Sequence, residues 1–253
     1  MNIIVCIKQV VTREWPVRVD DAGAWILEQN ASFEMNEPDA YALEAALRLK
    51  EAQGGEVTVC SVGPPRVTQV IREALARGAD RAIHVVDDAG VCVDAFTVAS
   101  AMASAIKEEP VDLVLTGLQS DDQGFAQTGV VLSALMGLPH ATIIMDVEVG
   151  AGRVRVKREL EGGWFQWVAL PTPALLTVQS GINQLRYATL RGIMGAKKKE
   201  VRTVSVAKTS GPCQRIVALY PPEKGKHTRF IEGAAPAAAK ELVRLLREEA
   251  HAL

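Results

Sequence analysis

The sequence predicts an α/β fold: a Rossmann-like parallel sheet with helices on both faces, an antiparallel extension, and a C-terminal arm that docks on a partner subunit. Three observations predict it. Through the first half of the chain, short apolar runs alternate four times with segments of helical spacing, the pattern of a parallel sheet wrapped by crossover helices. From residue 141 the apolar runs follow one another, with turns at Gly150-Ala151-Gly152 and Glu161-Gly162-Gly163, as antiparallel hairpins do. Beyond Asn183 apolar residues thin out until a last amphipathic stretch, leaving roughly 70 residues that cannot easily fold alone. The chain therefore divides into an α/β domain, residues 1–182, and a partner-recognition loop with its arm, residues 183–253.

Taken in order, residues 2–7 (NIIVCI) read as a first buried strand with Lys8 at its carboxyl end. Residues 12–29 fit neither period and predict a hairpin-like excursion over the sheet. Asn36, Glu37, Pro38 and Asp39 precede a helix at 40–52, with Asn36 or Asp39 as its cap, Leu43, Leu47 and Leu49 inward, and Glu44, Arg48 and Lys50 in water. Gly54-Gly55 ends that helix, and residues 56–62 form the next strand, closed by Gly63-Pro64-Pro65. A helix at 66–77, a strand at 81–86 and a helix at 94–108 lead to the strand at 111–116. The later strands are placed at 141–149, 153–160, 164–170 and 174–178 as consecutive members of the antiparallel extension. Arg153, Arg155, Lys157 and Arg158 make that ribbon basic, most simply a solvated face. After Asn183 only residues 234–252 read as helix, with Leu242, Leu245 and Leu246 on one side.

Composition excludes several classes. The formal net charge of −2 over 253 residues lacks the basic excess of a nucleic-acid binder. Cys6, Cys60, Cys92 and Cys213 form no C-x-x-C pair, so neither zinc nor a dithiol centre is signalled. Cys6 and Cys60 sit in apolar runs as small hydrophobes. No apolar stretch approaches the ~20 residues of a membrane span, and the chain opens on a strand with no leader pattern, so a cytoplasmic protein without membrane insertion is expected.

Chemistry concentrates after the strand at 111–116. It ends in Gly117 and runs through Leu118, Gln119, Ser120, Asp121, Asp122, Gln123, Gly124, Phe125, Ala126, Gln127 and Thr128, with helical spacing from 125 to 138. A strand, a polar loop and a helix start put backbone N–H groups against a phosphate at the carboxyl edge of a parallel sheet. The simpler reading is a capped strand-to-helix connection. The loop is neither G-x-G-x-x-G nor a Walker loop. What favours a nucleotide site is convergence: Lys8, residues 36–39, Val62-Gly63 and residues 117–128 all follow strands or open helices.

Over essentially its whole length the chain resembles the β subunits of electron transfer flavoproteins. The resemblance rests on IVCIKQV at the N-terminus, MNEPDAYALEAALRLKE at 35–51, REALARGADRAIHV at 72–85, VKRELEGGWFQWVALPTPALLT at 156–177 and RYATLRGIMGAKKK at 186–199. It implies a heterodimer with a larger α subunit that holds most of the FAD. Electrons would come from dehydrogenases and pass to a quinone reductase or similar acceptor. This chain would hold AMP structurally, through Cys6, Asn36, Glu37, Pro38, Asp39, Val62 and Gly117 through Thr128. Leu190 matches the leucine with which the family anchors partner dehydrogenases, beside Tyr187 and Met194, while Lys197, Lys198 and Lys199 would face solvent and tune approach. No residue is a candidate nucleophile or general acid, since the flavin carries the chemistry; the chain is expected to be a carrier subunit and not an enzyme.

The sequence departs from the AMP-binding pattern of the family at Asp122, Gln123, Gly124, Phe125 and Ala126, where an acidic triplet and an Asn are usual. That leaves room for a larger ligand, and the resemblance extends to bifurcating members of the family, which hold a second FAD here and use it to bifurcate electrons. Thr128-Gly129 is the single-flavin ending, which favours AMP. The competing class is a free-standing adenine-nucleotide module. An adenylating enzyme should show an S-G-G-x-D-S loop, which the sequence lacks, and a free-standing module has no use for the arm.

Overall fold

The computed structural model describes residues 1–88, 90, 92–206, 211–221 and 228–252; the polar Lys224-Gly225-Lys226 stretch of the arm lies outside them. In chain order the elements are β1 (Asn2–Cys6), β2 (Gln9–Val11), β3 (Phe33–Met35), α1 (Glu37–Gln53), β4 (Glu56–Gly63), α2 (Thr68–Arg77) and β5 (Arg81–Val86). They continue with α3 (Ala95–Ile106), β6 (Leu113–Gly117), α4 (Thr128–Met136), β7 (His140–Gly150), β8 (Arg153–Glu159) and β9 (Phe165–Pro171). The last are β10 (Ala174–Val178), α5 (Leu190–Ala196), β11 (Val201–Ser205) and α6 (Ala235–Glu248).

The main sheet runs β11-β5-β4-β1-β6-β10-β7-β8-β9. Pairings from β11 across to β7 are parallel, and β7–β8 and β8–β9 are antiparallel. Because strand side chains alternate between faces, Ile3, Val5 and Ile7 enter one core with Leu43, Leu47, Ile71 and Leu75 of α1 and α2. Ile4 and Cys6 enter the other, with Met102, Ile106 and Leu132 of α3 and α4. Helices thus cover both faces, and the alternation read from the sequence is what places them. The excursion after β1 contains the β2–β3 pair and a Val19–Ile26 bridge.

Two expectations are corrected. Residues 174–178 are not part of the antiparallel extension: β10 is parallel to both β6 and β7, and all five of its residues are buried. The chain runs out along β7, adds β8 and β9 at the edge of the sheet, and returns to fill the gap between β6 and β7. Nor is residue 183 followed by a single helix. α5 packs on α2, and β11 pairs with β5 to form the sheet edge. The α2–α5 contact is close: Arg72 Nη1 donates to Ala196 O (2.7 Å) and Lys199 O (3.0 Å), while Lys199 Nζ donates to Leu75 O (2.9 Å). The C-terminus of α5 receives a cation from α2, and that of α2 receives one from the segment just after α5, the arrangement that end carbonyls favour. Lys199 is therefore turned inward instead of facing solvent.

In the rest of the arm, Asp94, the N-cap of α3, accepts from Thr97 N and also from Cys213 N (2.6 Å) and Gln214 N (2.9 Å). α6 buries no residue, although Leu242 and Val243 are apolar. No helix among the described residues is long and apolar enough to cross a membrane.

Candidate functional site

The strand order reverses direction of growth at β1: the chain moves from β1 to β4 and β5 on one side, then crosses back to β6 on the other. In open sheets of this kind the ligand crevice lies outside the carboxyl ends of the strands at such a switch point, here between β1 and β6. Residues 36–39 and 117–123 meet there. Asp39, in the first turn of α1, accepts from Lys8 N through Oδ2 (2.8 Å) and from Gly117 N through Oδ1 (2.8 Å). One carboxylate thus ties α1 to the ends of both strands. Its burial pushes its pKa up to about 7, against the two backbone donors that hold it down.

That bridge needs glycine at 117. A Cβ there would stand 2.7 Å from Pro38 Cβ and 2.8 Å from Asp39 N, closer than packed atoms approach. Asn36 occupies the N-cap position of α1 but makes no side-chain cap there. Its amide instead donates to Gln119 O (2.9 Å) and accepts from Asp121 N (2.9 Å), so the residue expected as a cap fastens the loop. Lys8 Nζ reaches the same loop and donates to Asp122 Oδ1 (2.7 Å), Gln123 Oε1 (3.2 Å) and Ser120 Oγ (3.4 Å). From the excursion, Arg13 pairs with Asp121 and Glu37. The far limb is shaped by backbone: Gly124 and Ala126 have φ of 64° and 54°, Phe125 is exposed, and Gln127 is the N-cap of α4, which begins at Thr128 and not at 125.

Cys6 and Val62 sit behind these side chains. Both pack in the α3/α4 core, and burial pushes the Cys6 thiol well up, with the Asp39 carboxylate close enough to add to the rise, which leaves their backbones as what they can present. Lys8 stood in the sequence as a strand-end residue but outside the ligand set, and its position directly after an apolar run was the available signal. Arg13, in an irregular stretch, carried none.

A second cluster surrounds residues 184–196. Tyr187, Leu190 and Met194 are 90%, 81% and 66% exposed, with Ile193 beside them, so Leu190 does not close the arm onto the sheet. The segment is held from behind. Arg186 donates to Glu44 Oε2 (2.7 Å) and Oε1 (3.1 Å) and to Glu51 Oε1 (2.6 Å), and Arg48 Nε donates to Glu44 Oε1 (2.7 Å). Glu44, expected in water, is only 4% exposed; the two guanidiniums hold its carboxyl below the usual range against the burial that raises it. Thr189 caps α5 by accepting from Gly192 N (3.0 Å). A cavity of about 610 Å³ lies beside this clamp, lined in part by Arg48, Ala76, Arg77 and Thr189, away from the β1/β6 crevice. Lys197 and Lys198 are exposed, whereas Lys199 is engaged on α2.

The arrangement in the crevice offers a fastened loop and a helix start, the means of holding an anion. Separately the chain offers a rigidly backed apolar projection.

Comparison with known proteins gives one family. The family described as an electron transfer flavoprotein domain matches residues 24–209. The chain is 38% identical to the electron transfer flavoprotein subunit beta of Methylophilus methylotrophus, over 98% of each chain. It is 31% identical to the corresponding subunit of Bacillus subtilis over 99% of each. It is 34% identical to the mitochondrial subunit beta of Oryza sativa subsp. indica over the full length of both.

Proposed function

This chain belongs to the electron transfer flavoprotein family, as a β subunit, and from that premise we propose that it pairs with an α subunit and holds AMP structurally in the β1/β6 crevice. The α subunit carries the redox FAD, and the heterodimer takes electrons from dehydrogenases and delivers them to a quinone reductase or similar acceptor. The chain supplies position and electrostatics, with no catalytic residues of its own. The observation that carries the nucleotide assignment is the fastening of the loop after β6 by Asn36, Lys8 and the Asp39 bridge. A loop immobilised in this way presents the start of α4 to a phosphate without further ordering cost.

A second reading places FAD in this crevice instead of AMP. It draws on Phe125, exposed in the loop, which gives an aromatic face for a second ring system. Leu190, Tyr187 and Met194 form the docking point for the donor dehydrogenase, with Lys197 and Lys198 guiding approach. The arm, with α6 unburied on this chain, docks on the α subunit through Leu242, Leu245 and Leu246. Photolabelling the heterodimer with 8-azidoadenosine monophosphate, followed by peptide mapping, tests the site. Label at Cys6, Val62 or residues 36–39 or 117–128, competed by AMP, is the expected result; label elsewhere overturns the assignment.

A further inference from the structure

The loop after β6 is fastened by two devices of different strength. Its first limb, Gln119 to Asp121, is fixed by the buried Asn36 amide, which uses both its donor and its acceptor. Its next limb, Asp122 and Gln123, is tied to the body through the Lys8 ammonium, at 2.7 and 3.2 Å. The Lys8 backbone is itself immobile: its N–H donates to Asp39 Oδ2 (2.8 Å), and its carbonyl accepts from Asn36 N (2.9 Å). The ammonium is therefore aimed by the same two residues that shape the crevice. Lys8 and Asp122 are each about one-third exposed, whereas Arg13, which pairs with Asp121 from the outside, is 63% exposed and contributes less.

We propose that Lys8 is a positioning residue of the nucleotide crevice: its ammonium holds the Asp122–Gln123 limb closed over the bound nucleotide, and this ion pair opens for the nucleotide to leave. The inference rests on the nucleotide assignment above. Its consequence is kinetic. A partly exposed ion pair is screened by salt, so nucleotide release from the wild-type heterodimer quickens as sodium chloride is raised. Removal of the ammonium also leaves the Asp122 carboxylate unneutralised beside an anionic ligand, which speeds release further.

The experiment uses heterodimers loaded with radiolabelled AMP, chased with excess unlabelled AMP at low and high sodium chloride. Lys8→Met should release AMP about 2- to 5-fold faster at low salt, with the salt dependence largely gone, and Lys8→Arg should restore both. The absorbance of the α-subunit flavin confirms assembly of each variant. Should Lys8→Met fail to assemble, Asp122→Asn is read in its place and must lose the salt dependence. A wild-type heterodimer that retains AMP, with Lys8→Met releasing it at the same rate and salt dependence, overturns the role of Lys8 and leaves the crevice assignment standing. A wild-type heterodimer that retains neither AMP nor FAD in this crevice overturns both.

Discussion

Replacing Leu190 by alanine separates docking from folding. The side chain is 81% exposed, so on this chain alone its loss removes little buried surface, and stability should change by less than about 0.5 kcal/mol. Under the proposed docking, the same side chain would enter a pocket of the donor dehydrogenase. Burying a leucine fully contributes about 1.5–3 kcal/mol, and four-fifths of that is about 1.2–2.4 kcal/mol. At about 1.4 kcal/mol per decade the variant should bind the donor roughly 7- to 50-fold more weakly. The assay is stopped-flow reduction of the heterodimer by its donor dehydrogenase at varied carrier concentration. KM for the carrier should rise by that factor while kcat, the flavin spectrum and assembly with the α subunit hold. An unchanged KM would refute docking through Leu190, and loss of the heterodimer would make the residue structural.

Three other outcomes follow from the geometry. Gly117→Ala forces a Cβ against Pro38 and Asp39 and should destabilise the protein by about 1–3 kcal/mol, with loss of bound nucleotide; thermal unfolding and nucleotide content after gel filtration report both. Arg186→Met leaves Glu44 buried with Arg48 as its remaining guanidinium. Arg186 is partly exposed, so the cost is about 2 kcal/mol, below that of a fully orphaned charge, and amide exchange across residues 184–195 should accelerate while exchange in β1 and β6 does not. For Asp39, the folded pKa of about 7 lies above the unfolded value near 4. The native state therefore binds more protons between those pH values, and the contribution of this group to stability is present below about pH 4 and is lost as pH rises towards 7. Asp39→Asn should flatten the stability profile over that window, and an unaltered slope in denaturant titrations from pH 4 to 7 would contradict this.

The parallel half of the sheet was legible because its strands are buried on both faces and its helices carry one apolar side, so local pattern and tertiary role agree. The place of β10 was not. A five-residue buried run reads the same in a hairpin as in the middle of a parallel sheet, and its neighbours are set by where the β8–β9 ribbon lets the chain return. α5 escaped notice because seven residues containing Gly192 and Gly195 have little intrinsic helix preference; what supports the helix is α2 beneath it. Glu44 falls on the outward side of its helix by spacing and becomes buried only because Arg186, 142 residues later, folds over it. The lysine run illustrates the same limit, since composition alone does not separate Lys197 and Lys198 in solvent from Lys199 on the carbonyls of α2. In the crevice, the loop and its partners at 36–39 were readable as strand-end segments. The division of labour among them, with Asn36 fastening the loop, Asp39 bridging and Lys8 stapling, depends on side-chain directions that spacing does not encode.

The most direct measurement is to denature the purified heterodimer of this chain with its α subunit and identify the released nucleotides by chromatography and absorbance. One FAD and one AMP per heterodimer is the predicted result, with the redox flavin on the α subunit and a structural nucleotide between β1 and β6. Two FAD and no AMP would make this crevice a redox site, and one FAD with no second nucleotide would contradict the nucleotide assignment altogether.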